Sequence, residues 1–211
     1  LQRRMFCQTF EYELVFHPLE TTRSEVVYED KSLTVTTVPL SHRVPCCGFL
    51  FKEKPLQPHL NREMLDFYEI PRSQFNNIKQ GQDWTTADGE TIPNSRLVLP
   101  ADKPLSYAFC SDTRYMPDLH KLVYGVDVIY HESTYGDKDA ANARKYYHST
   151  ASEAARVASD SCAGLLLLGH SSSQYADETC LLDEACRVFP SVVLTNEMDV
   201  VDVANRCKVE E

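Results

Sequence analysis

Several apolar runs of this chain end on a histidine or an acidic residue. The runs LTVTTVPLSH, LSYAFCSD, VDVIYHE and GLLLLGH end at His42, Asp112, Glu132 and His170. A buried strand that stops at a polar side chain places that side chain at the rim of a sheet. Neighbouring strands therefore bring these groups to one cleft. Imidazole and carboxylate groups without cysteine predict a hydrolytic zinc site and not a structural one.

Each of these residues also has an ordinary interpretation when it is taken alone. A histidine after a strand is often a surface residue, and an aspartate at that place is often a turn former or a helix N-cap. The four are not independent, however, because all of them fall at the same structural position. The shared position favours a common site.

Composition limits the class of protein. The chain has 211 residues, of which 43% are hydrophobic, enough for one sizeable core. No apolar run approaches the ~20 residues of a membrane span, and no secretory signal is found, so we expect no membrane partner. The eight cysteines form no CxxC pair, which predicts free thiols and a cytoplasmic location.

The net charge of −10 argues against a broad basic surface for nucleic acid. It leaves room for one local basic patch or for a site centred on metal ions. A pair of zinc ions adds +4 locally, so the charge of the whole chain says little about the cleft.

The pattern along the chain predicts an α/β fold. Strand-like runs fill the first quarter, at residues 11–16, 24–30, 32–40 and 46–54. Residues 55–100 are polar and interrupted by proline, which predicts an inserted arm with two short helices and not a second domain. Strand and helix patterns then alternate, which indicates helices covering a sheet. Thr150 and Glu153 form a capping-box pattern at the start of one helix.

Five segments carry a resemblance to a known family: VPLSHRVPCCGFLFKEK, AFCSDTR, YHESTY, YYHSTASEAARVA and GHSSSQY. With them, the chain resembles ribonuclease Z, the tRNA 3′-processing endonucleases of the metallo-β-lactamase superfamily. The pair HEST and HSTA, in this order and near this spacing, is quite specific to that family. The resemblance runs from about Glu29 to Val203 and implies the metallo-β-lactamase αββα sandwich.

The resemblance also implies a role for each site residue. His42 corresponds to a ligand of the first zinc ion, Asp112 to the carboxylate that bridges both ions, and His170 to a ligand of the second. His148 corresponds to the catalytic residue that contacts the scissile phosphate and protonates the leaving 3′ oxygen. Glu132 corresponds to the group that orients His148. The implied substrate is precursor tRNA, and the implied assembly is a homodimer.

One motif of the family is missing. The first metal motif, HxHxDH, does not occur in the sequence. Three ligands cannot hold two zinc ions, so we expect these residues to be the C-terminal two-thirds of one metallo-β-lactamase domain. On that basis, they provide only part of the zinc ligands and are inactive alone. The alternative is a natural protein that has lost metal binding.

The arm takes the place of the family's tRNA-binding exosite. Its own sequence reads IPRSQF where the family often has a glycine- and proline-rich motif, and a solvated surface arm is an equal alternative. In addition, Gln174 replaces an arginine common in the family's last motif. The candidate phosphate-binding residues on and beside the arm are Lys52, Lys54, Arg62, Arg72 and Lys79.

Two other functions remain open on the sequence. One is a phosphodiesterase of the same superfamily that acts on small substrates, which would not need the arm. The other is a metal-free module that binds RNA or a protein partner. Zinc content separates the second alternative from both hydrolases.

Overall fold

The computed structural model describes residues 12–13 and 15–209. The described residues form a large mixed sheet, two-stranded ribbons and seven α-helices. The strands are β1 (Val26–Glu29), β2 (Leu33–Pro39), β3 (Cys47–Glu53), β4 (His59–Leu60), β5 (Trp84–Thr85), β6 (Thr91–Ile92), β7 (Val98–Leu99), β8 (Ser106–Cys110), β9 (Val128–Glu132), β10 (Leu165–Gly169), β11 (Val192–Leu194), β12 (Val201–Asp202) and β13 (Cys207–Lys208). The helices are α1 (Arg62–Phe67), α2 (Phe75–Lys79), α3 (Asn94–Leu97), α4 (Leu119–Leu122), α5 (Ala140–Tyr146), α6 (Ala151–Asp160) and α7 (Thr179–Cys186).

Strand direction in the large sheet explains where the site forms. The strand order is β1-β2-β3-β8-β9-β10-β11. The pairs from β1 to β8 are antiparallel, and the pairs from β8 to β11 are parallel. As a result β2, β8, β9 and β10 run in the same direction, and their carboxyl ends lie at one edge of the sheet.

The contact between β3 and β8 depends on a glycine. A Cβ atom added to Gly48 would lie 2.2 Å from the carbonyl oxygen of Phe109. No side chain fits at that distance, so β3 and β8 can pair here because position 48 is a glycine.

Helices cover one face of the sheet and bury the main core. Alanines of α6, among them Ala154 and Ala158, pack with Ile129 and Leu166 of the sheet. The Thr150 side chain caps α6 by accepting from the Glu153 backbone N–H, and Glu153 accepts from the Thr150 N–H in return. The predicted capping box is therefore confirmed.

The other face of the sheet is covered in part by the β12–β13 ribbon. Leu165 and Leu167 of β10 pack there with Val201 and Val203. Asp127 connects the ribbon to the sheet, because its buried carboxylate bonds to Arg206, between β12 and β13, at 2.8 Å. The same carboxylate bonds to Lys103 at 2.5 Å. Burial would raise the pKa of Asp127, but these cations and Ser106 lower it to about 2.

The segment between β3 and β8 has an apolar cluster of its own. It contains α1, α2 and α3 and the ribbons β4–β7 and β5–β6. The two predicted helices are found, each shorter than its sequence pattern. The cluster is formed by buried aliphatic residues: Leu65, Ile70, Ile78, Ile92 and Leu97.

Most predicted elements of the sheet are confirmed, with one exception. The strand predicted at residues 11–16 is wrong for residues 12, 13, 15 and 16, which belong to no strand, while residues 11 and 14 lie outside the described part. Alternating sequence forms a strand only where a neighbour supplies hydrogen bonds, and among the described strands β1 pairs with β2 alone. Within residues 12–13 and 15–209, no helix has the length and apolar character to cross a bilayer.

Candidate metal and catalytic site

Four strand ends bring the predicted residues together. His42 lies beyond β2, Asp112 beyond β8 and His170 beyond β10, while Glu132 is the last residue of β9. The loop between α5 and α6 adds His148, whose ring centroid lies 5.1 Å from that of His42 and 5.5 Å from that of His170. The five predicted metal and catalytic residues therefore lie together at one edge of the sheet.

Glu132 holds His148 in place. Its Oε1 lies 2.8 Å from His148 Nδ1, and its side chain is fully buried. Burial alone would raise the pKa of Glu132, but hydrogen bonds from His148, Thr134 and Thr113 lower it. The same bond raises the pKa of His148 above its usual value, while partial burial opposes the rise. The pair therefore favours a charged imidazolium beside a charged carboxylate.

His42 and His170 each use Nδ1 for a hydrogen bond within the protein, which leaves Nε2 of each ring without that partner. His42 Nδ1 lies 2.9 Å from the carbonyl oxygen of Tyr147, an acceptor only, so this nitrogen carries the proton. His170 Nδ1 lies 3.0 Å from the Thr134 hydroxyl. With Nδ1 engaged, each ring has Nε2 left for a ligand, the usual arrangement of metal-binding histidine.

The donor set fits zinc. His170 Nε2 and Asp112 Oδ1 are 3.4 Å apart. Two atoms that each lie about 2.0–2.2 Å from one zinc ion are separated by about 3.3–3.6 Å in a tetrahedral shell. Nitrogen and carboxylate donors at this spacing match a hydrolytic zinc ion and include no thiolate.

A second grouping of donors is found in the same cleft. Ligand atoms of Glu132, His148 and His170 lie within 4.8 Å of one another. Glu132, however, already accepts four hydrogen bonds, from the N–H groups of Thr113 and Thr134, from the Thr134 hydroxyl and from His148. A carboxylate has about four lone-pair positions, so none is left for a cation. This count favours Glu132 as the partner of His148 and not as a ligand.

The histidine next to Glu132 points away from the cleft. His131 is fully buried on the face that packs against the helices, level with Cys110 and Leu168 in the neighbouring strands. Its Nδ1 lies 2.7 Å from the Glu132 carbonyl oxygen, and its Nε2 has no partner. Burial lowers the pKa of His131, so it packs as a neutral ring.

The candidate phosphate-binding residues are spread along one segment. Lys52 is exposed on β3, and Lys54 just after it pairs with Glu29 at 2.7 Å. Arg62 lies over the Phe75 ring at 5.4 Å, Arg72 is exposed, and Lys79 ends α2. Residues 55–100 contain six acidic and four basic residues, so this segment is not basic as a whole. A positively charged area on it is limited to the surroundings of its few basic side chains.

Sequence reasoning assigned no role to two groups of the site. The Thr134 hydroxyl touches Glu132, His148 and His170. The Tyr147 carbonyl holds His42, which is 105 residues away along the chain. Thr134 is the last residue of the HEST motif, so the signal was present in the sequence, whereas a backbone carbonyl has no sequence signal.

Solved structures define the fold. The metallo-β-lactamase fold protein YhfI from Bacillus subtilis superposes with a TM-score of 0.52 at 15% identity, over 83% of this chain and 49% of that one. Human tRNase Z, short form, superposes with a TM-score of 0.52 at 20% identity, over 85% of this chain and 47% of that one. The chain therefore has the metallo-β-lactamase fold.

Sequence relatives give a closer comparison than the solved structures do. Ribonuclease Z of Bacteroides fragilis is 48% identical over 192 residues, which cover 91% of this chain and 63% of the relative. Ribonuclease Z of Phocaeicola vulgatus is 44% identical over 196 residues, 93% of this chain and 63% of the relative. The chain is homologous to ribonuclease Z, and the resemblance seen in its motifs is confirmed. It spans just under two-thirds of the length of these relatives, and no family model matches it.

Proposed function

We propose that the protein containing this chain is a zinc-dependent endoribonuclease that removes 3′ trailers from precursor tRNA. One observation carries the proposal: His42, Asp112 and His170 converge with the Glu132–His148 pair at one edge of the sheet. Homology to proteins named ribonuclease Z supports the choice of substrate.

The proposed zinc ligands are His42, Asp112 and His170. Zinc bound there would activate water as a nucleophile and stabilise negative charge on the phosphate oxygens. The protein contributes the directions of the donor atoms. Nδ1 of His42 is fixed by a backbone carbonyl, which leaves Nε2 as the donor to the ion.

His148 is the proposed general acid. Glu132 raises the pKa of the His148 imidazole, so the ring keeps its proton to higher pH than an ordinary histidine does. The imidazolium can donate this proton from Nε2 to the 3′ oxygen as the ester bond breaks, because Nδ1 is held by Glu132. A tRNA with a free 3′ hydroxyl is the expected product.

The arm, residues 55–100, is the proposed contact for the body of the tRNA. Arg62, Arg72 and Lys79 of this segment, with Lys52 and Lys54 beside it, supply cations for phosphate groups. A homodimer in the cytoplasm completes the proposal. In such a dimer, the arm of one subunit would hold the tRNA that the other subunit cleaves.

The complete gene product, expressed from the reading frame that contains these residues, tests the function. Its zinc content and its cleavage of a precursor tRNA with a 3′ trailer are measured beside hydrolysis of bis(p-nitrophenyl) phosphate. We expect zinc in the protein and a cut that leaves the 3′ hydroxyl on the tRNA. His170→Gln should lower both zinc content and cleavage, while His120→Gln, on α4 and outside the cleft, should change neither.

Two results would contradict the proposal, each in favour of an alternative. Hydrolysis of the small diester without cleavage of precursor tRNA would indicate a small-substrate phosphodiesterase. Binding of RNA without zinc and without cleavage would indicate a metal-free binding module.

A further inference from the structure

Thr134 occupies the centre of the site without a role in the function proposed so far. Its side chain is buried, with 6% of the residue exposed. Its hydroxyl oxygen lies 2.7 Å from Glu132 Oε2, 3.1 Å from His148 Nδ1 and 3.0 Å from His170 Nδ1. One oxygen atom therefore touches the carboxylate and both imidazoles.

The direction of each hydrogen bond follows from the number of protons. A hydroxyl has one proton to donate and two lone pairs to accept with. The short contact to the charged Glu132 oxygen is the strongest of the three, because a hydroxyl donates best to a carboxylate. With its proton used there, the Thr134 oxygen can only accept from the two rings. His148 shares its one Nδ1 proton between Glu132 and Thr134, with the shorter contact to Glu132.

Acceptance from His170 has a consequence for that ring. A neutral imidazole carries its proton on one nitrogen, and a hydrogen bond to Thr134 places the proton on Nδ1. The lone pair is then on Nε2, which lies 3.4 Å from Asp112 Oδ1. The other tautomer would turn an N–H group toward the place where a cation is to bind.

We propose that Thr134 is a positioning residue that links Glu132 to His170 and fixes the His170 ring as its Nδ1–H tautomer. The inference rests on the proposed function, because zinc binding is what gives this arrangement a use. The hydrogen bonds themselves do not depend on that function. One carboxylate thereby orients two rings, His148 directly and His170 through a hydroxyl. Neighbours of metal ligands that fix a tautomer in this way typically contribute about 10- to 100-fold to metal affinity.

The experiment reads the tautomer directly. The complete gene product, labelled with ¹⁵N at histidine and stripped of metal, is studied by long-range ¹H–¹⁵N NMR at about pH 9, well above the ordinary imidazole pKa of ~6.5. The His170 signals are assigned by their loss in His170→Gln. We expect wild-type His170 to be the Nδ1–H tautomer. An Nε2–H tautomer in the wild type would overturn the proposal, whether or not any variant folds.

Substitutions separate the hydroxyl from the shape of the side chain. Thr134→Val keeps the shape and should shift His170 toward the Nε2–H tautomer and weaken zinc binding about 10- to 100-fold. Thr134→Ser keeps the hydroxyl and should behave as wild type in both measurements. Thr37→Val removes another fully buried threonine hydroxyl, one that bonds to Arg23 and Glu25, and should leave His170 and zinc affinity unchanged.

An unchanged tautomer and zinc affinity in a folded Thr134→Val protein would contradict the proposal. Failure of the proposed function has a different signature. In that case precursor tRNA would remain uncut by the wild type, while the wild-type tautomer could still be Nδ1–H.

Discussion

Glu132 and His148 form an ion pair of 2.8 Å between segments that are 16 residues apart. The carboxylate has no solvent exposure, and hydrogen bonds from Thr113 and Thr134 fix the position of its two oxygens. The imidazole it holds lies between the rings of His42 and His170. The imidazole that we propose as the proton donor is thus fixed beside the proposed metal ligands by a group that water does not reach.

Replacement of His148 separates proton transfer from metal binding. In the complete gene product, His148→Ala should lower kcat for precursor tRNA by about 10²- to 10⁴-fold, the usual contribution of a general acid. Zinc content should remain at the wild-type value, because His42, Asp112 and His170 are retained. Metal analysis and single-turnover cleavage check both statements. Loss of zinc in this variant would assign His148 to the metal site instead.

Replacement of Glu132 should change the pH dependence of cleavage. The bond to Glu132 raises the pKa of His148, so the protonated ring persists to higher pH than an ordinary histidine. Glu132→Gln removes the charge and should move the basic limb of the kcat profile to lower pH. Glu178→Gln, outside this network of four bonds, is the matched control. An unmoved basic limb in Glu132→Gln would contradict the role of the pair.

The arm should matter for tRNA and not for small esters. Changing Arg62, Arg72 and Lys79 together to glutamine should raise KM for precursor tRNA and flatten its dependence on salt, because fewer phosphate contacts release fewer counterions. Hydrolysis of bis(p-nitrophenyl) phosphate should be unchanged. A variant with Lys31, Lys138 and Lys145 changed, outside the arm, controls for the loss of charge. Equal losses on both substrates would count against the arm as a tRNA contact.

Asp127 should stabilise the fold through its two cations. Asp127→Asn removes the charge that holds Lys103 and Arg206, and it should lower the free energy of unfolding by about 1–3 kcal/mol at pH 7. The folded pKa of about 2 lies below the unfolded value of ~3.9, so this stabilisation is present above pH ~3.9 and is lost as pH falls toward 2. Urea unfolding at several pH values measures it. Asp160→Asn, at an exposed site, should have little effect, and an equal loss there would contradict the assignment.

Hydrophobic pattern predicted the positions of the site residues because strand ends are a local property. His42, Asp112 and His170 each follow an apolar run, and the parallel direction of the strands brings those ends together. The capping box of Thr150 and Glu153 could likewise be predicted from the sequence, since its two partners are three residues apart.

The remaining features depend on tertiary placement. Tyr147, whose φ of 64° ends α5 in a left-handed turn, offers its backbone carbonyl to His42 from a distant part of the chain. Thr134 contacts His170 from a strand end 36 residues away. Residues 12, 13, 15 and 16 show the opposite case, since they lie in a stretch with an alternating pattern but belong to no strand. Local sequence contains no information on which neighbour a segment will meet.

His131 gives a prediction for stability that is independent of catalysis. The ring is fully buried, its Nε2 has no partner, and burial lowers its pKa, although the Glu132 carbonyl and the charges of Glu132 and Glu153 oppose the shift. In the unfolded chain the ring has a pKa of about 6.5. The unfolded state therefore takes up a proton first, and the folded state loses stability as pH falls below about 6.5.

Substitution of His131 isolates the contribution of this ring to the pH dependence of stability. His131→Met removes the titrating group at similar volume, so stability at pH 8 should change by less than about 1.5 kcal/mol. Between pH 7 and 5 the variant should lose less stability than the wild type, as measured by urea unfolding at each pH. His120→Gln, at a histidine of α4 outside this core, should keep the wild-type slope. Parallel curves for His131→Met and wild type would mean that the buried ring is protonated in the folded protein, against the absence of any partner for its Nε2.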